Sequence, residues 1–151
     1  MSNVKLTAQQ VRDRASVTAG FPSTGRLWFK LMESRLGLSG LSGGNTIPLI
    51  LAGRMPEGTN LAALADVAGM ARPSLIRHVD QLCELGLMRR QADISDRRAK
   101  KLILTPEGKA MASELEIQLE DLRREVLGHL SAEDIEGAVR VQRAIAEAAA
   151  R

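Results

Sequence analysis

Arg72-Pro73-Ser74-Leu75-Ile76-Arg77-His78-Val79-Asp80-Gln81-Leu82-Cys83 decides the fold, read together with Asp96-Arg97-Arg98 further along the chain. Pro73 suits the first turn of a helix, where its missing N–H is one of the unpaired donors in any case. Leu75, Ile76, Val79, Leu82 and Cys83 recur at helical spacing as a buried stripe, and Gly86 stops the helix. On the opposite side Ser74, Arg77, His78 and Gln81 stand at i, i+3, i+4 and i+7, a continuous polar face with no carboxylate. A merely solvated helix face usually mixes signs, so this one reads as fitted to an anionic partner.

The segments on either side extend the pattern. Upstream, Asn60 can cap a helix in which Leu61, Leu64, Ala65 and Ala68 share a face up to Gly69. Ala65, Gly69 and Leu75 then have helix-turn-helix spacing: a small residue where two helices cross, a glycine for the turn, and an apolar residue that packs the second helix on the first. That spacing alone fits an ordinary helical hairpin better; the polar face of the second helix and the segments downstream shift the balance. Leu87 to Ala92 and Ala99 to Leu104 are extended segments joined by Asp93 to Arg98, a β-hairpin with a long tip.

A polar helix beside a basic hairpin has the parts to grip duplex DNA in adjacent grooves. Arg77 can take both acceptors of guanine and Gln81 the edge of adenine, while Ser74 can bind phosphate or base. Arg97 and Arg98 can enter a minor groove, where narrow A·T-rich segments concentrate negative potential. Asp96 cannot face phosphate and is assigned to orienting the wing. Lys100 and Lys101 point to opposite faces of the return strand, so only one can follow the DNA backbone, and Lys100 is chosen. The DNA-contact set is therefore Arg72, Pro73, Ser74, Arg77, His78, Gln81, Arg97, Arg98 and Lys100.

Charge supports this placement once it is divided along the chain. The net charge of +3 hides +3 over residues 1–71, +4 over residues 72–101 and −4 over residues 102–151. A basic centre beside an acidic flank suggests a phosphate-facing surface next to a part with another task, such as self-association. At 151 residues and 44% hydrophobic content the chain is long enough for one domain with a real core. Three aromatic residues, Phe21, Trp28 and Phe29, are too few for a base-stacking platform on single strands. No apolar run approaches a membrane span, and the lone Cys83 fits a reducing compartment, so a cytoplasmic, nucleoid-associated protein is expected.

The flanks read as helices that need partners. Residues 1–22 are poorly periodic and end in the breaker Gly20-Phe21-Pro22, although Thr7 can cap a short helix through Val11; they read as an arm. Ser23 precedes a helix with Leu27, Leu31 and Leu36 on one row and Trp28 and Met32 beside it, ending at Gly37. Residues 37–45 read as a loop, and Thr46 to Ala52 as a short helix with Pro48 in its first turn. Thr105-Pro106 opens a long helix whose stripe, Met111, Leu115, Leu119, Leu122 and Val126, is too long for one small lobe and predicts an obligate dimer. Ser131 and Asp134 resemble a capping box for a last helix carrying Ile135, Val139 and Ile145.

Residues 72–107 run from Arg72-Pro73-Ser74 through Gly86-Leu87-Met88-Arg89-Arg90-Gln91 and Ser95-Asp96-Arg97-Arg98-Ala99-Lys100-Lys101 to Leu104-Thr105-Pro106-Glu107. They resemble the winged-helix core of the MarR family of transcriptional regulators, most closely its SlyA branch. The likeness is specific across recognition helix and wing, and weaker but collinear from Arg26 to the C-terminus. It implies a homodimer whose first and last two helices intertwine, leaving two lobes for a pseudo-palindromic site. It also implies Arg77 and Arg97 as principal DNA contacts, with Arg98 alongside. Family members commonly bind small, often aromatic and anionic ligands between dimerisation helices and lobe, which weakens DNA binding; some repress, others displace silencing proteins. Where the family often carries an aromatic residue in its second helix, this chain has Gly43-Gly44-Asn45-Thr46. Either the pocket takes a bulkier ligand or the local helix starts later.

Other chemistries find less support. Cys83 as a thiol-based redox sensor is the weaker reading, because its stripe places it in the core. His78 and His129 are not grouped with other ligands at zinc spacing, and no phosphate loop or nucleophile elbow occurs, so neither a metal, a cofactor nor an enzyme activity is expected. Trp28 is read first as core; the sharper alternative places it with Met32, Thr46 and Ile50 in a ligand pocket.

The expected fold is mainly α with a small antiparallel β-wing: an N-terminal arm and dimerisation helix over 1–36, a winged helix-turn-helix lobe over 37–105, and C-terminal dimerisation helices over 106–151. The expected function is sequence-specific binding of double-stranded DNA as a homodimeric transcriptional regulator, a repressor or anti-silencer released by a small aromatic or anionic ligand. The alternative is a winged-helix protein-interaction module that does not read DNA.

Overall fold

The structure, a computed structural model, describes residues 6–36, 41–92 and 100–151. Its elements are α1 (Ala8–Leu36), α2 (Gly43–Arg54), α3 (Leu61–Ala68), α4 (Arg72–Glu84), β1 (Met88–Ala92), β2 (Lys100–Leu104), α5 (Pro106–Leu127) and α6 (Ala132–Ala149). This is the expected mainly helical architecture with one two-stranded antiparallel wing.

Four helix starts are written in their caps. Thr7 and Gln10 exchange bonds at the head of α1, the Thr7 hydroxyl accepting from the Gln10 N–H at 3.2 Å and the Gln10 amide oxygen from the Thr7 N–H at 2.9 Å. Asn60 Oδ1 accepts from the Ala63 N–H at 2.9 Å and sets the start of α3. Thr105 Oγ1 accepts from the Gly108 N–H at 3.0 Å while donating to the Gly86 carbonyl at 2.7 Å, so the same hydroxyl starts α5 and ties it to the end of α4. Ser131 and Asp134 form a capping box at α6.

Between α3 and α4 the chain turns at Gly69, whose φ of 62° lies in the left-handed region that favours glycine. Leu75, Val79 and Leu82 of α4 then pack on Leu64 and Ala65 of α3 in one core with Leu36, Leu49, Met88, Leu102 and Leu115. The strands pair Met88 with Leu104 and Ala92 with Lys100. The Leu102 N–H donates to the Thr59 carbonyl at 2.9 Å, which holds the wing against the entry to α3.

Several expectations are corrected. Residues 1–22 do not end in a break: α1 continues through Gly20 and Pro22 to Leu36. Capped at Thr7, α1 runs on as one helix, so one interior proline, a local cost of about 3 kcal/mol, does not stop it. The buried row of α1 is Met32 and Leu36, with Trp28 and Phe29 half-buried, whereas Leu27 and Leu31 face solvent. Helix α2 begins at Gly43 rather than Thr46, which puts Pro48 inside it, and so excludes the later start allowed by the glycines. Ile76 is 43% exposed and does not join the α4 core stripe. The α5 stripe is covered within the chain: Leu115, Leu119 and Leu122 are buried, and α5 packs on α1 and α2, so its length is no argument for a dimer.

Candidate DNA interface

Because Leu75, Val79 and Leu82 face inward, the helical period turns Ser74, Arg77 and Gln81 outward, and all three are exposed together with Arg72 and Pro73 at the start of α4. Lys100 is exposed at the first position of β2. Arg72 and Lys100 border one concave surface with Asn60, Ile76, Asp80 and Arg90. The structure thus brings the start of α4 and the base of the wing to a shared face. Arg97, Arg98 and Asp96 lie outside the described residues.

Two side chains of this surface are absent from the set read out of the sequence. Arg90 Nη1 forms an ion pair with Asp80 Oδ1, joining β1 directly to α4. Strand alternation turns Arg90 to the same side as buried Met88, toward the helix, a signal available in the sequence but not used. Asp80 therefore carries no free charge toward an anionic partner: its carboxylate is matched by Arg90, and the concavity keeps Arg72 and Lys100 as further cations.

His78 departs from the expected stripe. It is half-buried, and its Nδ1 lies 2.9 Å from Asn45 Oδ1 of α2. Nothing in the sequence links positions so far apart; only the packing of α4 on α2 shows the pairing.

The expected ligand residues do not form one pocket. Met32 and Thr46 border a cleft of only about 10 Å³, scarcely room for one water, and Trp28 packs half-buried against the core. Ile50 instead lines a larger groove of about 720 Å³ between α2, β2 and α5, with Met55, Leu102, Leu104, Ala112 and Ile117 on its apolar wall. At its rim Arg54 Nε and Nη2 donate to Glu116 Oε2 and Oε1 at 2.7 and 2.6 Å, and Arg123 Nη1 donates to Glu116 Oε1 at 2.9 Å. The Arg54 hydrogen bonds, aided by Arg123, hold the Glu116 carboxyl below its usual range.

Cys83 is half-buried beside the core, and burial pushes its thiol up from its ordinary value, away from the thiolate that oxidation needs. No described helix is long and apolar enough to cross a membrane.

The MarR family model matches residues 51–100, a span from the end of α2 through α3 and α4 to the first residue of β2. Among solved structures, the transcriptional regulator PA3341 superposes with a TM-score of 0.80 at 29% identity, covering 89% of this chain and 99% of that one. The transcriptional regulator BldR from Sulfolobus solfataricus gives 0.77 at 25% identity, over 89% of this chain and 97% of its own. CouR from Rhodococcus jostii RHA1, solved with p-coumaroyl-CoA, gives 0.75 at 24% identity, over 83% and 87%. Residues 51–100 thus match the MarR family model, and the mainly helical fold of the chain with its two-stranded wing is the one shared by the transcriptional regulators it superposes on.

Proposed function

We propose that the chain is a sequence-specific regulator of transcription that binds double-stranded DNA as a homodimer, with Ser74, Arg77 and Gln81 in a major groove and Arg72 and Lys100 on phosphates. The wing residues Arg97 and Arg98, oriented by Asp96, are assigned to the adjacent minor groove. The observation that carries the reading is the exposed, carboxylate-free row of Ser74, Arg77 and Gln81 next to a wing base that presents Lys100. The resemblance of α4 and the wing supports a reading near the SlyA branch, as a repressor or an anti-silencer on a pseudo-palindromic site.

Dimerisation is assigned to residues 1–36 and 106–151 around a lobe over 37–105. It is supported by α6, which buries no residue within the chain although Ile135, Val139 and Ile145 recur along it. Ligand release is assigned to the groove between α2 and α5, whose size suits a small molecule and whose apolar wall suits an aromatic one. CouR, of the same fold, was solved with p-coumaroyl-CoA, a ligand with an aromatic acyl group, which supports this reading.

Selection from a random duplex pool tests the reading and reports half-site spacing. Enrichment of an inverted repeat, with affinity falling by orders of magnitude between about 50 and 200 mM salt, is expected for six or more phosphate contacts. A pool that stays unenriched at low salt removes DNA readout and leaves a winged-helix module for protein partners.

A further inference from the structure

Asn45 is a buried polar side chain, 4% exposed, on the first turn of α2. Its Oδ1 faces His78 Nδ1 at 2.9 Å, so the ring donates from Nδ1 and the amide oxygen accepts. The residue before it leaves room for that ring: a Cβ at Gly44 would collide with His78 Cε1. Gly43 is confined in the same way by Glu33 of α1. The Gly43-Gly44-Asn45 run is therefore shaped by its neighbours in space, with glycine as the floor under the imidazole and the amide as its hydrogen-bond partner. A buried amide left without a partner is costly, so the bond resists opening.

His78 lies one residue after Arg77, and Ser74 and Gln81 flank it by four and three residues on the same helix. Reading base edges requires side chains held to about 0.5 Å, which depends on what fixes the helix behind them. The opposite half of α2 lines the α2–α5 groove with Ile50, Gly53 and Arg54. One helix thus borders the groove and seats the recognition helix.

We propose that Gly44 and Asn45 form a seat for His78 that fixes the recognition helix on α2, making His78 a positioning residue for DNA reading rather than a DNA contact. The inference rests on the proposed DNA-binding function and deepens it. The seat replaces one expected base or phosphate contact with a packing joint particular to this chain's Gly-Gly-Asn run.

The test uses the full chain and its selected duplex. Gly44→Ala displaces the ring without deleting a hydrogen-bonding group, and a helical alanine favours α2. Asn45→Leu removes the acceptor, and Asn45→Asp keeps one. Gly44→Ala and Asn45→Leu should each weaken DNA binding roughly tenfold, with the salt slope unchanged because no phosphate contact is lost. Asn45→Asp should bind nearly as tightly as the wild type, and Gly44→Ala should add nothing in a His78→Ala background. Full affinity in Gly44→Ala and Asn45→Leu, with loss confined to His78→Ala, overturns the seat and makes His78 a direct contact.

Circular dichroism confirms that each variant is folded. The ¹⁵N–¹H signal of His78 Nδ1–H checks the bond without DNA: it should persist in the wild type and in Asn45→Asp and vanish in Asn45→Leu, and its absence from the wild type overturns the seat. A wild type that binds no duplex removes the DNA reading, while the ring signal still judges the joint.

Discussion

Helices α5 and α6 follow one another, both open on a side-chain cap, and both carry an apolar row, yet they end in opposite situations. Helix α5 buries Ala112, Leu115, Leu119 and Leu122 against the rest of its own chain. Helix α6 buries none of its residues, and Ile135, Val139, Val141 and Ile145 remain at the surface. Apolar periodicity shows that a helix needs cover without showing where the cover comes from. The dimer reading therefore rests on α6 and on the exposed apolar residues of α1, Val11, Val17, Leu27 and Leu31, and no longer on the α5 stripe.

Substitution in α5 should give the largest effect. Leu115 is 0% exposed in the core that α5 shares with the rest of the chain, so Leu115→Ala should destabilise the fold by about 2–5 kcal/mol, through lost burial and the cavity left behind. Urea unfolding should show this loss at every protein concentration. The same truncation at Ile145 should move the unfolding midpoint only where the protein is concentrated enough to associate; a loss at Ile145 that ignores concentration would mean that α6 finds its cover within the chain.

A second change asks the question of α6 directly. Ile135→Lys combined with Val139→Lys places two charges on its apolar row, and each buried aliphatic side chain contributes about 1.5–3 kcal/mol. Light scattering should show a dimer in the wild type and a monomer in the double variant, with the far-ultraviolet spectrum nearly unchanged. A wild type that is already monomeric at micromolar concentration sinks the dimer reading.

The same contrast separates what the sequence disclosed from what it withheld. Local chemistry was readable: Asn60, Thr105 and Ser131 start their helices where the capping rules put them, and Pro73 opens α4. The polar row of Ser74, Arg77 and Gln81 was readable because it is the complement of Leu75, Val79 and Leu82 on one helix. Tertiary facts were not. The Gly43-Gly44 pair resembles a loop until Glu33 and His78 are seen against it, and Asn45 is an ordinary amide until the recognition helix is packed on α2. Ile76 sits beside Leu75 in the stripe, but the neighbouring wing leaves a concavity over it, which no helical period foretells. Continuity of α1 through Pro22 was missed because a local breaker was weighed without the capped turns before it.

The smallest expected effect concerns the ion pairs that bind α5 to the lobe, for which α6 offers only the intrahelical pair of Glu136 and Arg140 among the described residues. Glu116 accepts from Arg54 on α2 and from Arg123 further along α5. Its folded carboxyl is held below its ordinary range, so its contribution is fully present above the unfolded carboxylate range and disappears as pH falls through the folded value. The Glu116 side chain is 36% exposed, and solvent screening keeps the net contribution below about 1 kcal/mol. Glu116→Gln should therefore lower stability slightly at neutral pH, and the gap to the wild type should close on acidification and shrink in high salt. Because Arg54 and Glu116 also stand at the groove rim, the variant separates two roles: a stability gap that persists in acid would show that the amide fails to pack where the carboxylate did, and charge pairing would not be what joins α5 to α2.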